Sequence, residues 1–354
     1  MGFDIMKKLF KKNNLNFDLE EFIANIDKQY IEYRNTLNLN NSVTFGVEIE
    51  FEKAKLRNVV KALNLLDDYN DWYFETEKSI SLSNEYFIGG TIYNPCAVEA
   101  NLGNSKIKGG EIISPVLKDN IKTWNDLKSI CIKLKQEGAV AGPLTGSHIH
   151  LGTQILGKKE KAWHNLIILW LLYEKVIFRY SYGESTTYRH KIRMYAEPLS
   201  AMLNYYKDVI YKKKTKDIIE FLPEIIETKS YALDFKKTKK PKYSENNTIE
   251  IRCPNGTLEH IIWQNNINFF AKLFLCAKNN DFNLEVIEKR LYSYDEQSNQ
   301  LPFYGDIYLE EAIELSNMVF DNDLDKKYFL IQYLKSFETS EERDYKQAKT
   351  FIKN

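Results

Sequence analysis

The stretch VTFGVEIEFE, residues 43–52, decides how the chain is read. Its side chains alternate strictly: Phe45, Val47, Ile49 and Phe51 on one side, Glu48, Glu50 and Glu52 on the other. A period of two predicts a strand, because successive Cβ atoms point to opposite faces of a sheet. One apolar face and one ionisable face predict an antiparallel sheet covered on one side. Two like carboxylates at i and i+2 repel on a shared face, so Glu48 and Glu50 need water or a cation between them. Gly46 shares their face and leaves room beside them. Taken alone, the pair also fits an ordinary solvent-facing strand.

Two further strands repeat the design. SHIHLG, residues 147–152, follows a glycine-rich turn and puts His148 and His150 on one side. Neutral imidazole binds a divalent ion, and protonated imidazole contacts phosphate. TIEIRC, residues 248–253, alternates Thr248, Glu250 and Arg252 with Ile249, Ile251 and Cys253. A carboxylate for a metal beside a guanidinium for a phosphate suits a metal–nucleotide complex; a cross-strand ion pair is the alternative. GGEIISPV, residues 109–116, adds Glu111 behind two glycines, where a turn residue is equally expected. Ligands that are mostly hard oxygens point to Mg2+ or Mn2+ before Zn2+.

Outward from these strands the period changes. Residues 18–37 carry Leu19, Phe22, Ile23, Ile26 and Tyr30 at helical spacing behind Asp18 as N-cap. Helices are predicted at about 54–67, at 120–137, and from 159 to about 181, with a mostly helical C-terminal third. The strands do not alternate with crossover helices, so the fold class is α+β with a largely antiparallel sheet. The expected division is a helical extension over 1–42, a catalytic α+β domain over 43–280, and a helical segment over 281–354 packed on the same domain. The Lys-rich runs at 212–216 and 236–242 read as solvated surface loops.

Bulk properties narrow the classes. The chain has 354 residues, 44% of them apolar, with 49 basic and 49 acidic side chains. Zero net charge gives no footprint for generic binding to nucleic acid or to an anionic membrane. The four cysteines have no CxxC spacing, which suggests reduced thiols and a cytoplasmic setting. The most apolar run, LIILWLLY at 166–173, is far short of the roughly 20 residues that span a bilayer, and it reads as a buried helix. GTQILGKK at 152–159 approaches a phosphate-binding loop, but Lys159 stands where a magnesium-binding Ser or Thr is required.

In order along the chain, FGVEIEFE, GGEIISPVL, GSHIHLG, RMYAEPL and TIEIRCPNGTLEH resemble the putative amidoligase family, which is related to glutamine synthetase and the glutamate–cysteine ligases. The resemblance covers residues 43–275. It implies a curved antiparallel sheet forming a funnel flanked by helices, with ATP entering one end and an acceptor the other. It further implies metal ligation by Glu48, Glu50, Glu111 and Glu250, with one of His148 and His150 at the metal and the other, His150 among the candidates, near phosphate. Arg252 matches the arginine that meets triphosphate or acyl-phosphate. Arg193 and Tyr195 fall in the family's Arg/Tyr loop, with Arg189 and Lys191 adding positive charge nearby.

By resemblance, the expected activity is an ATP- and Mg2+- (or Mn2+-) dependent carboxylate–amine ligase. It would join a carboxylate donor, glutamate-like by family expectation, to an amine on a small molecule, peptide or protein. One element departs from the family: an Asp-x-Ser motif is matched only by Glu77 and Ser79, with glutamate in place of aspartate. Two other readings stay open, a guanidino-kinase-like phosphotransferase on the same scaffold and a non-catalytic binding protein.

Overall fold

In the computed structural model, the residues described are 17–64, 71–75, 90–91, 108–142, 144–182, 196–200, 231–235, 247–279, 308–336 and 352. Their order is α1 (Leu19–Ala24), β1 (Phe45–Lys55), α2 (Leu56–Asn64), β2 (Tyr73–Glu75), β3 (Gly90–Thr91), β4 (Lys108–Ile113) and α3 (Ile121–Gln136). There follow β5 (Ser147–Gly152), α4 (Glu160–Tyr182), β6 (Leu233–Asp234), β7 (Thr248–Ile251), α5 (His260–Asn279), α6 (Leu309–Val319) and α7 (Asp323–Lys335). The strands form one sheet in the order β3-β2-β4-β1-β5-β7-β6, with every pair antiparallel. The α+β class follows directly. The sheet is open rather than strongly curled or closed, so the expected funnel is not formed by the sheet alone. Among the described residues, its outermost strands have two residues each and do not pair with one another, so they do not close a barrel.

The apolar face of the sheet is the floor of the core. Phe45, Val47, Ile49 and Phe51 of β1 are buried with Ile149 and Leu151 of β5 and Ile249 and Ile251 of β7. Helices cover this face. Phe45 stacks on Trp124 of α3 at 5.4 Å, Trp170 of α4 on Phe270 of α5 at 6.0 Å, and Tyr180 of α4 on Phe329 of α7 at 4.9 Å. The run 166–173 lies inside α4 as a buried helix, and no helix of the described residues is long and apolar enough to cross a membrane.

One predicted helix is shorter than its pattern. Asp18 caps α1 by accepting from the Glu21 amide, but the helix ends at Ala24. The Asn25 side chain bonds back to the Glu21 carbonyl, and the chain is extended by Gln29. Beyond it, main-chain donors that a helix would use internally are taken by distant acceptors: Arg34 N–H by Gln264 Oε1, and Leu37 N–H and Leu39 N–H by Asp119. Asp325 anchors the same segment, accepting from Arg34 at 2.5 Å, from Asn268 at 2.8 Å, and from Lys272 and Asn322. Tertiary partners override the local helical period here.

The two glycines before Glu111 are used by the backbone. A Cβ on Gly110 would lie 2.8 Å from the Glu75 carbonyl oxygen, so only glycine lets β4 approach β2 this closely.

Candidate metal centre

Cross-strand register assembles the site, because directly paired residues share a face. Gly46 of β1 stands opposite His150, His150 opposite Glu250, and Glu250 opposite Asp234. In the next row Glu48 stands between His148 and Ile113, and in the third Glu50 faces Glu111, which faces Glu75. Ionisable side chains from six strands are thereby brought to the face opposite the helices. Most are removed from water: Glu250 is 2% exposed, His148 3%, Asp234 3% and Glu50 4%.

Glu48 is the centre of the hydrogen bonding. Its Oε1 lies 2.8 Å from His150 Nε2, and its Oε2 lies 3.0 Å from His148 Nδ1. His148 Nδ1 is also 3.5 Å from Glu50 Oε1 and 3.6 Å from Glu250 Oε1, so one ring nitrogen faces three carboxylates. With Nδ1 donating, a neutral His148 leaves a lone pair on Nε2, which is buried without a hydrogen-bond partner. Arg252 donates to Glu250 Oε1 from its neighbouring position on the same strand face.

Burial alone would raise the carboxylate pKa values here. For Glu48 that effect is outweighed by hydrogen bonds and charge from His150 and His148, which hold it well below the usual range. For Glu250, burial and the nearby Glu48 charge push upward, while Arg252 and the two histidines bring the net value down. Arg252 is correspondingly raised: the Glu250 carboxylate overcomes the cost of burying the guanidinium. Among the described residues of this face, carboxylates outnumber the Arg252 guanidinium, and buried charge of one sign is relieved by a bound cation. Glu48, His150 and Glu250 offer one ligand atom each, all within 4.8 Å of one another. Two carboxylate oxygens and one imidazole nitrogen suit Mn2+ or Mg2+, with the nitrogen favouring Mn2+.

The other candidates divide by placement. Glu50 shares the face, but its Oε2 accepts the Gly146 amide and so fastens the loop before β5. Glu111 lies opposite Glu50 and outside the three-residue cluster. Glu52 accepts the Leu144 amide at 3.0 Å and holds the same loop. Glu77, Ser79, Arg189, Lys191, Arg193 and Tyr195 lie outside the described residues. Two acidic residues of this face escaped the reading of the sequence. Asp234 sits on a strand of only two residues, too short to show a period, and its signal was the alternation of Leu233, Asp234 and Phe235. Glu75 ends β2 beside Glu111, two residues before the Glu77 that drew attention.

An antiparallel α+β sheet carries, on one face, a cluster of two carboxylates and an imidazole that could hold a metal ion. A family profile described as a putative amidoligase enzyme matches residues 41–274, from just before β1 to well inside α5, and the chain belongs to that family. The description is that of a ligase. No curated protein matches the chain.

Proposed function

We propose that this protein is an ATP- and Mg2+-dependent carboxylate–amine ligase that forms an amide through an acyl-phosphate. The observation that carries the reading is the Glu48, His150 and Glu250 cluster with Arg252 beside it, in a chain of the amidoligase family. A divalent cation held there by Glu48, His150 and Glu250 would neutralise phosphate oxygens and orient them.

The chemistry explains the demand for these residue types. A carboxylate is a poor acyl donor because oxide is a poor leaving group. Attack of the substrate carboxylate oxygen on the γ-phosphorus breaks the bond to the β-phosphate oxygen, releases ADP and leaves an acyl-phosphate. The amine nitrogen then attacks the acyl carbon, and inorganic phosphate departs with the former carboxylate oxygen. Arg252 offers a planar, permanently charged donor to the phosphoryl oxygens. The amine must lose a proton, and a carboxylate of the same sheet face is the acceptor.

The test is a screen of ADP release against pairs of carboxylates, glutamate among them, and amines. Release that requires both partners, and is lost in Glu250→Gln, is expected. Phosphate transferred to a stable guanidinium compound would make the protein a phosphotransferase. Metal and nucleotide binding without turnover would make it a binding protein.

A further inference from the structure

Helix α4 is apolar along most of its length, yet it buries one carboxylate, Glu174, which is 2% exposed. It follows Tyr173, whose φ of −113° and ψ of 16° interrupt the helix. Both oxygens are used. Oε1 accepts from the Leu199 amide at 2.6 Å and from Trp170 Nε1 at 3.2 Å, and Oε2 accepts from the Ser200 amide at 3.1 Å. Burial pushes this carboxyl up to about 7 despite the lowering effect of the Ser200, Leu199 and Trp170 hydrogen bonds. A leucine at 174 would avoid that burial cost, so the carboxylate is kept for what it holds.

What it holds leads to the metal centre. Glu197, two residues before Leu199, bridges to Tyr231 in parallel, and its carbonyl accepts the Ala232 amide at 2.9 Å. The Ala232 carbonyl in turn accepts the Arg252 amide at 2.9 Å. Two residues further on, Asp234 pairs with Glu250. The Glu174 carboxylate is thus connected to the backbone of Arg252 through the amides of Leu199 and Ser200, the short covalent stretch back to Glu197, and two main-chain hydrogen bonds by way of Ala232.

We propose that Glu174 is a positioning residue: by capping Leu199 and Ser200 it fixes the segment 196–200 against 231–234, and so sets where Arg252 stands beside the metal ligands. Its effect on nucleotide rests on the ligase reading above; its effect on the backbone does not. Glutamine at 174 loses an acceptor, since its amide group meets N–H groups donor to donor. Leucine removes both acceptors and matches the apolar surroundings, which guards against a variant that merely unfolds.

The experiment compares the full-length wild type, Glu174→Gln and Glu174→Leu by amide hydrogen exchange and by titration with Mn2+ and with ADP in the presence of Mn2+. Folding is checked by thermal melts. The expected result is exchange at least tenfold faster at Leu199, Ser200, Ala232 and Arg252, Mn2+ affinity within about threefold of wild type, and ADP affinity reduced at least fivefold. General destabilisation would instead speed exchange throughout the core. Unchanged exchange at Ala232 and Arg252 in folded variants overturns the proposal, as does unchanged ADP affinity when the wild type binds ADP. If the wild type does not bind ADP, the nucleotide reading fails, and exchange at Ala232 and Arg252 alone decides whether Glu174 positions that strand.

Discussion

Glu48 joins two histidines of the neighbouring strand through separate oxygens, Oε1 to His150 at 2.8 Å and Oε2 to His148 at 3.0 Å. The two rings are nevertheless unequal. His150 belongs to the three-residue cluster, whereas His148 lies outside it and presents Nδ1 to three carboxylates. His150→Ala should therefore lower Mn2+ affinity at least tenfold. His148→Asn, which keeps an N–H donor, should lower it by less than about threefold. Isothermal titration on both variants measures the contrast, and equal losses would contradict the inequality.

Arg252 and Glu250 form a buried pair in which one partner compensates the other. Removing one partner of such a pair costs about 3–5 kcal/mol, because the remaining charge is stranded. Arg252→Met should show a loss of that order in urea unfolding. Arg252→Lys should lose less stability, since charge is kept while the planar fork is not.

Gly110→Ala tests the close approach of β4 to β2. Its Cβ would lie 2.8 Å from the Glu75 carbonyl oxygen, in a backbone that cannot move independently of the sheet. A destabilisation of about 1–3 kcal/mol is expected from forcing strain of this kind. Gly138→Ala gives a contrast, since a Cβ there meets nothing within 4 Å and only the φ of 81° opposes it.

The pH dependence of stability carries a signature of Glu174. Its carboxyl titrates near 7 in the fold, above its ordinary value of 4.5, so the folded state holds the proton that the unfolded chain releases. Its contribution is fully present below about 4.5, is lost as pH rises towards 7, and is level above that. Melting temperatures of wild type and Glu174→Gln, measured across this window, should change relative to one another in that direction. A constant difference would contradict the raised titration.

Much of the site was legible because strand period is a local signal. The alternations in 43–52, 147–152 and 248–253 placed Glu48, His148, His150 and Glu250 on polar strand faces, and the pairing register brings those faces together, with Arg252 just past the end of β7. Helix α3, expected over 120–137, was legible for the same kind of reason, and it runs over Ile121–Gln136 behind the Asn120 cap. What escaped depended on partners distant in sequence. The α1 pattern continues past Ala24, but Gln264 and Asp119 claim the backbone beyond it. Glu50 shares the face of Glu48 as expected, and only the tie of its Oε2 to the distant Gly146 amide was hidden. The role of Glu174 is not visible in sequence, because nothing near it announces the amides of Leu199 and Ser200.

The most direct test of the metal centre is a Mn2+ titration of the full chain, followed by electron paramagnetic resonance with Mg2+ as competitor, in wild type and in Glu48→Gln. The wild type should bind Mn2+ and release it to excess Mg2+. Glu48→Gln should melt as a folded protein and bind at least tenfold more weakly, because it loses an anionic cluster ligand and one of the two acceptor oxygens that face His148 and His150. Equal Mn2+ affinity in the two proteins, or no binding by the folded wild type, would contradict a divalent-cation site built on Glu48, His150 and Glu250.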